Sequence, residues 1–273
     1  MELPKVPRLR PRAILSDADG TLVDTVGLIR HGQYETAKLY LEKQGVAAES
    51  LPSYETYEGY LNRVVGGAAR DTLERTVRLL YAHQPHHAEA FDFDALHDEL
   101  NPVQDRIAPE FVKPYTGLSR FLHHLGKTGV GLAIFTSGSP HHIVRNFGIA
   151  LPELGMSESY LDASIDERAK LARFESAVTD HFRIPDFTVV TCDDVAAHKP
   201  DPEGLQLALD RLDVAPDEAM VLGDHRVDML SAVNAGVGQR VGITHGFDDE
   251  TALRAAGASM VVNSLDELGR MLR

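Results

Sequence analysis

The amino-acid sequence predicts an α/β fold in which a doubly wound parallel sheet is interrupted, after its first strand, by an all-helical segment. Short apolar runs rich in β-branched residues alternate with helical patterns through most of the 273-residue chain, an order typical of parallel βαβ units. Residues 25–112 have helical periodicity instead, with no convincing strand. Hydrophobic residues make up 43% of the chain, which is enough for a substantial core.

Six apolar runs are predicted as strands, and each ends in polar residues or glycine. They are residues 13–16, 130–135, 187–191, 219–222, 240–243 and 259–262. Because these runs are short and largely apolar, we expect a sheet that is covered by helices on both faces.

The segments between the later runs predict helices. Residues 117–127 place their large apolar side chains on one helical face. Asp201 is predicted to cap a further helix with Pro202 at its first position. The segment at about 152–186 contains Ser164-Ile165-Asp166-Glu167, which we interpret as a capping box that opens a helix. We expect this segment to pack on the core, with a dimer interface as the alternative.

Three helices are predicted in the inserted segment, at residues 28–44, 68–83 and 91–106. The predicted domains are therefore a core made of residues 1–24 and 113–273 and a helical cap domain made of residues 25–112.

Charge and cysteine content exclude several classes of partner. A formal net charge of −14 disfavours binding to nucleic acid or to an anionic membrane surface. The single cysteine, Cys192, excludes a disulfide within the chain and fits a reducing compartment. No apolar run approaches the ~20 residues of a membrane span. We expect a soluble, cytoplasmic protein that is a monomer or a homodimer.

Two carboxylates, Asp17 and Asp19, follow the first predicted strand. In an open α/β sheet, ligands bind at the carboxyl ends of the strands. The two acids would repel one another unless a cation or a shared proton compensated their charge. Taken alone, this stretch has a solvated Asp-Gly turn as its alternative interpretation.

Other polar groups lie at or just beyond the later predicted strands. Thr136-Ser137-Gly138 follows the second strand and offers hydroxyl and backbone N–H groups to an anion, next to the start of a helix. Lys199 lies beyond the third strand, and Asp224 and Asp228 follow the fourth. Each group alone is a weak signal, but their order on separate strand ends predicts one shared site.

In this order the motifs resemble those of the haloacid dehalogenase (HAD) superfamily, which has a Rossmann-like α/β core and, in this group, a helical cap inserted after the first motif. The resemblance covers nearly all of the chain. Asp17-x-Asp19-Gly20-Thr21 is similar to the first motif, Thr136 to the second, Lys199 to the third and Gly223-Asp224-x-x-x-Asp228 to the fourth.

The resemblance implies phosphoryl transfer through a covalent intermediate. Asp17 would attack phosphorus and form an aspartyl-phosphate. Asp19 would protonate the leaving oxygen and then activate water. The Thr136-Ser137-Gly138 loop would bind the phosphate together with Lys199, which would also pair with Asp17.

Mg²⁺ is the cofactor that the resemblance implies. The carboxylates of Asp17 and Asp224 and the backbone carbonyl of Asp19 would bind it. Asp228 would be either a further ligand or an anchor behind the ligands. Water and the substrate phosphate would complete an octahedron, as suits a small hard cation.

We therefore predict a Mg²⁺-dependent phosphatase that acts on a small phosphorylated metabolite and that resembles phosphoglycolate phosphatases. Asp19 favours an oxygen leaving group, because the dehalogenases of the superfamily typically lack this second acid. A sugar phosphomutase of the β-phosphoglucomutase type, with the same core residues, is the alternative. A catalytically silent binding protein is a further alternative, which the presence of the motif residues disfavours.

The predicted cap domain should determine the substrate. Arg63 and Arg70 lie at a Gly-rich loop and are candidate ligands for an anionic or hydroxylated substrate, with an ordinary solvated role as the alternative. His31 on the first cap helix is a third candidate, again with a surface role as the alternative. His225 stands where Ser or Thr is common in the superfamily, and we interpret it as a packing or hydrogen-bonding residue, with contact to phosphate or metal as the alternative.

Overall fold

A computed structural model describes residues 9–45, 52–82, 91–156 and 159–272. The chain divides into two compact units, one formed by Met1–Asp24 with Lys113–Arg273 and the other by Thr25–Val112. The first unit carries the sheet, and the second contains helices and no strand among its described residues. In the described part of the chain, no helix combines the length and apolar character that crossing a membrane requires.

The strands are, in chain order, β1 (Ala13–Ser16), β2 (Val23–Asp24), β3 (Lys113–Pro114), β4 (Gly131–Phe135), β5 (Phe187–Val190), β6 (Ala219–Gly223), β7 (Gln239–Ile243) and β8 (Met260–Val262). Six of them form one sheet in the order β5-β4-β1-β6-β7-β8, and all neighbours in it are parallel. Strands β2 and β3 form a separate antiparallel pair, which the sequence analysis did not predict. The six-stranded sheet confirms the predicted doubly wound α/β fold.

The strand order places a ligand-binding position beside β1. From β1 the chain moves outward to β4 and β5, then returns to β6 on the other side of β1 and continues to β7 and β8. In doubly wound sheets, ligands bind beyond the carboxyl ends of the strands at this point of reversal. Asp17 follows β1, and Asp224 follows β6. Both acids therefore lie at the point of reversal.

Both faces of the sheet are buried. Leu15 and Val221 belong to one apolar cluster together with side chains from helices. Ile14 and Leu222 point to the opposite face, because side chains alternate along a strand, and both are also fully buried. The short apolar strands are thus covered on two sides, as their composition predicts.

The helical unit contains α1 (Val26–Lys43), α2 (Tyr54–Leu61), α3 (Ala69–Leu80), α4 (Phe93–Asp98) and α5 (Leu100–Phe111). The helices of the sheet-bearing unit are α6 (Leu118–Thr128), α7 (Pro140–Ala150), α8 (Glu167–Phe182), α9 (Glu203–Leu212), α10 (Arg226–Asn234), α11 (Glu250–Ala255) and α12 (Leu265–Met271).

The helical unit departs from the prediction in two places. Helix α2 is absent from the prediction, although Ser53 caps it by accepting the N–H of Thr56 at 3.2 Å. The predicted helix at 91–106 is two helices, α4 and α5, which meet at Glu99. Pro102 explains the break, because it has no N–H to donate to the carbonyl of Asp98. The predicted end of the preceding helix, at residue 83, lies outside the described residues.

Two helix starts in the sheet-bearing unit also differ from the prediction. Helix α9 begins at Glu203, one residue late, and Asp201 accepts the N–H of Glu203 at 2.9 Å. Asp166, rather than Ser164, caps α8, because Asp166 accepts the N–H of Ala169 at 3.0 Å. One face of α8 is apolar and buried, and it consists of Leu171, Phe174, Val178 and Phe182.

Candidate active site

The turn after β1 brings its two acids to the edge of the sheet. The N–H of Asp17 donates to the carbonyl of Leu222 at 2.9 Å, so that the backbone pairing with β6 extends to this residue. Gly20 then turns the chain with a φ of +85°, and a Cβ at this position would overlap the carboxylate of Asp224. Only glycine meets both requirements here.

Lys199 bridges two buried carboxylates. Its Nζ donates to Asp17 Oδ1 at 2.5 Å and to Asp228 Oδ1 at 2.7 Å. The lysine side chain is 8% exposed, and its ammonium lies 3.9 Å from the centre of the Phe135 ring. The structure thus joins the predicted third motif to the first and the fourth.

Asp224 is held by donors from two loops. The hydroxyl of Thr21 lies 2.6 Å from Asp224 Oδ1 and 3.2 Å from Asp17 Oδ2, so it connects the two acids. The N–H of Phe247 donates to Asp224 Oδ2 at 2.8 Å. A Cβ at Gly246 would overlap the same carboxylate. Asp224 is therefore fixed between the β1 turn and the loop after β7.

Asp17, Asp224, Asp228 and Lys199 form a buried cluster. Its three acids, when ionised, carry more negative charge than the single lysine balances. Burial raises the pKa of Asp17 to about 6, although Lys199 acts in the opposite direction. Burial, together with Asp17 and Asp228, raises the pKa of Asp224 well above its usual value. For Lys199, the charges of Asp17 and Asp228 outweigh burial and raise the pKa of the ammonium. Lys199 is consequently cationic at neutral pH.

The donor set fits a divalent cation. One oxygen from each of Asp17, Asp224 and Asp228 lies within 4.8 Å of the others. Oxygen donors with excess negative charge suit a hard cation such as Mg²⁺. Asp228 Oδ1 already accepts from Lys199, and its Oδ2 accepts the backbone N–H of His225 at 3.1 Å. These two bonds favour an anchoring role for Asp228 over direct ligation.

The loop after β4 supplies the predicted anion-binding groups. The hydroxyl oxygen of Thr136 accepts the N–H of Gly138 at 2.9 Å, which leaves its O–H able to donate. Thr136, Ser137 and Lys199 line one cavity. A Cβ at Gly138 would lie 3.5 Å from Asp19 Oδ2. The loop therefore lies beside both Lys199 and Asp19.

Two buried residues of α7, which the sequence analysis missed, lie behind Asp19. Asn146 Nδ2 donates to Asp19 Oδ1 at 2.8 Å, and Arg145 Nε donates to Asn146 Oδ1 at 3.0 Å. Both α7 side chains are at most 3% exposed. A polar pair inside an otherwise apolar helical stretch is the signal that points to them.

His225 has the hydrogen-bonding role that the sequence analysis expected. It is the N-cap of α10, where its Nδ1 accepts the N–H of Val227 at 3.3 Å. Asp248, which the sequence analysis missed, accepts from the backbone N–H of Arg226 at 2.7 Å and from its Nε at 2.9 Å. These contacts fix the start of α10 and hence the position of Asp228.

The three substrate candidates all belong to the helical unit, where each has a local partner. His31 stacks against Tyr54 and against Phe111, with ring centroids 4.2 Å and 4.7 Å away. Arg70 pairs with the exposed Asp94 at 2.6 Å. Arg63 lies over the ring of Tyr60, 5.2 Å from its centre.

A family model described as haloacid dehalogenase-like hydrolase matches residues 11–236. The chain therefore belongs to this family of hydrolases, as its motifs and its parallel sheet indicate. Pyrophosphatase PpaX of Bacillus velezensis is 30% identical over 232 residues, which cover 83% of this chain and 81% of that protein. Pyrophosphatase PpaX of Bacillus cereus is 27% identical over 228 residues, which cover 84% and 81%.

Solved structures share the fold. A protein named as a predicted phosphoglycolate phosphatase from Haemophilus somnus has a TM-score of 0.70 at 16% identity, with 95% of this chain and 97% of that chain covered. CbbY from Rhodobacter sphaeroides in complex with phosphate has a TM-score of 0.62 at 23% identity, with 95% and 96% covered.

Proposed function

We propose that this hydrolase is a Mg²⁺-dependent phosphatase that acts on a small phosphorylated metabolite through an aspartyl-phosphate on Asp17. The ion pair between Lys199 and the buried Asp17 carries the proposal. An adjacent cation keeps a buried carboxylate ionised, and a nucleophile must be ionised to attack.

In the first step, a carboxylate oxygen of Asp17 attacks phosphorus as the bond from phosphorus to the leaving oxygen breaks. Lys199 holds Asp17 Oδ1 and so orients the carboxylate. The transferred phosphoryl group spreads negative charge over its oxygens. The ammonium of Lys199 and the O–H of Thr136 would stabilise that charge, because preorganised donors act strongly where water is excluded.

Asp19 would act in both halves of the reaction. In the first half its carboxyl group gives a proton to the leaving oxygen, which departs as an alcohol. In the second half its carboxylate takes a proton from the water that attacks the aspartyl-phosphate. Inorganic phosphate is then released, and Asp17 returns to its starting state.

Asp17, Asp224 and the backbone carbonyl of Asp19 are the groups that would hold Mg²⁺, with Asp228 as their anchor. When bound, the cation would offset the charge of the acids and of the substrate phosphate. Lys199 and the Thr136-Ser137-Gly138 loop would bind the substrate phosphate through direct contacts.

The helical unit would serve as the cap that selects the substrate. Its candidate substrate contacts remain Arg63, Arg70 and His31. To reach a substrate, each side chain would have to break its present contact or make an additional one. The Bacillus relatives bear the name pyrophosphatase, so inorganic pyrophosphate is a substrate to test beside phosphoglycolate and the hexose phosphates.

The test is a panel of these compounds with Mg²⁺, in which both phosphate release and sugar-phosphate isomerisation are measured. We expect phosphate release, with a loss of at least about 10³-fold in kcat for Asp17→Asn, because the covalent route is closed. Isomerisation without net phosphate release would instead identify a phosphomutase, and no activity on any compound would identify a silent binding protein.

Asp193→Asn is the matched control. Asp193 is an exposed acid in the loop after β5, and its replacement removes a carboxylate without touching the cluster. The control should retain full activity. Turnover by Asp17→Asn, or hydrolysis that persists after Mg²⁺ is chelated, would contradict the proposal.

A further inference from the structure

Helix α7 buries two polar side chains that the proposed chemistry does not use. Arg145 is 1% exposed and Asn146 is 3% exposed, although most of their buried neighbours on the helix are apolar. Burying such groups is unfavourable unless each one is hydrogen-bonded. The hydrogen bonds of Asn146 indicate the role of these two side chains.

The amide of Asn146 has one permitted orientation. A guanidinium only donates hydrogen bonds, so the atom that Arg145 contacts must be the amide oxygen of Asn146, at 3.0 Å. The amide nitrogen then points to Asp19 Oδ1, at 2.8 Å. Arg145 therefore determines that Asn146 presents a donor, rather than an acceptor, to the acid.

The two oxygens of Asp19 consequently have different surroundings. Oδ1 is bound from behind by Asn146, whereas Oδ2 lies on the side of Gly138 in the loop after β4. That loop is the predicted phosphate-binding loop. Oδ2 is therefore the oxygen on the side where the phosphate and its leaving oxygen would lie.

We propose that Asn146 is a positioning residue for Asp19, and that its amide, oriented by Arg145, holds Oδ1 so that Oδ2 faces the leaving oxygen. This inference rests on the proposed phosphatase function. When the bond from phosphorus to the leaving oxygen breaks, the proton on Asp19 Oδ2 moves to that oxygen and an alcohol departs. Asp19 is left as a carboxylate whose Oδ1 still accepts from Asn146.

The dependence on the leaving group provides the test. Para-nitrophenyl phosphate releases a stable nitrophenolate without a proton, whereas benzyl phosphate, similar in shape, needs one for its alcohol. For Asn146→Leu we expect kcat/KM to fall by about tenfold or more for benzyl phosphate and by less than about threefold for para-nitrophenyl phosphate, because only the former uses the acid. The ratio kcat/KM is chosen because it covers the steps up to phosphoryl transfer and omits hydrolysis of the intermediate.

Two further variants separate positioning from packing. Asn146→Asp keeps the shape and the acceptor for Arg145 but removes the N–H donor, and it should show the same selective loss even if Asn146→Leu does not fold. Phe147→Leu perturbs the next buried residue of α7, which contacts Phe174. It should lower thermal stability without changing the ratio between the two substrates.

The outcomes are distinguishable. Equal losses for both substrates, or no loss, in Asn146→Asp would overturn the positioning role while leaving the phosphatase proposal intact. A wild-type protein that hydrolyses neither these two esters nor any compound of the metabolite panel with Mg²⁺, or whose activity survives Asp17→Asn, would overturn the proposed function and this inference with it.

Discussion

Lys199 opposes the effect of burial on the pKa of Asp17. Its ammonium contacts Asp17, Asp228 and the Phe135 ring. Burial alone favours protonated carboxyl groups, whereas the nearby ammonium favours the ionised nucleophile. Lys199 thus balances the charge of the neighbouring acids, in addition to contacting the phosphate that the site is proposed to bind.

Replacing Lys199 by Met tests this interpretation in the folded protein. In the presence of a chelator we expect the free energy of unfolding to fall by about 3 kcal/mol, because two buried acids lose their partner. Mg²⁺ should recover part of the loss by offsetting the same charge. Urea unfolding with and without Mg²⁺ measures both effects.

The exposed Lys127 of α6 supplies the control for this experiment. Lys127→Met should leave stability nearly unchanged under both conditions. Equal stability of Lys199→Met and the wild type in chelator would show that the ion pair does not hold the cluster together.

The motif residues could be predicted from the sequence, and Asn146 could not. Asp17, Thr136 and Asp224 each follow an apolar run that predicts a strand, so their place at the sheet edge follows from local pattern. Asn146 reaches Asp19 only because α7 packs behind the β1 turn. Nothing local in the sequence specifies that contact, apart from the polar pair within an apolar helical stretch.

The short turn Cys192–Asp194 connects β5 to the loop that carries Lys199. Asp194 Oδ2 accepts the N–H and the hydroxyl of Thr191, both at 2.8 Å. Its Oδ1 accepts from Arg168 at 2.9 Å and from Arg211 at 3.0 Å. One carboxylate thus joins the end of β5 to helices α8 and α9.

Asp194 also predicts a pH dependence of stability. Burial acts to raise its pKa, but the bonds from Thr191 and Arg211 outweigh burial and lower it. A carboxyl group whose pKa is lower in the folded state than in the unfolded state stabilises the fold at pH values above the unfolded-state pKa, which is about 4. This stabilisation is lost as the pH falls through the folded-state pKa. Asp194→Asn should therefore be less stable than the wild type at pH ~7 by about 1 kcal/mol or more.

Urea unfolding at several pH values measures this difference. It should stay constant from neutral pH down to the unfolded pKa and then shrink in more acidic solution. A difference that is the same on both sides of that pKa would show that the charge of Asp194 makes no contribution.

Element boundaries illustrate where local patterns become ambiguous. More than one residue near a predicted helix start can act as its cap. At α8 the cap is Asp166 rather than Ser164. The division between α4 and α5 follows from Pro102, a local cause that helical periodicity alone does not reveal. The apolar stripe of a helix is predicted more reliably than its ends. The stripe is recognised from many residues along the helix, whereas an end is recognised from a single capping residue.

Residues that are far apart in the sequence form one cluster in the folded protein. Asp17 and Asp224 are separated by the entire helical unit and most of the sheet, yet Thr21 bridges them. Parallel strands in the order β5-β4-β1-β6-β7-β8 bring their carboxyl ends to one edge. The six strands of the parallel sheet follow from the six apolar runs, whereas their order in space depends on long-range pairing that no local pattern encodes.

In the proposed mechanism, Asp17 carries the phosphoryl group and Asp19 transfers the protons. Asp19→Asn with para-nitrophenyl phosphate tests both, because this leaving group needs no acid while hydrolysis of the intermediate needs a base. After rapid mixing, we predict a burst of about one nitrophenolate per enzyme, followed by slow turnover, and a phosphorylated peptide whose modified residue is Asp17. Slow turnover without a burst, or a phosphoryl group on any other residue, would contradict this mechanism.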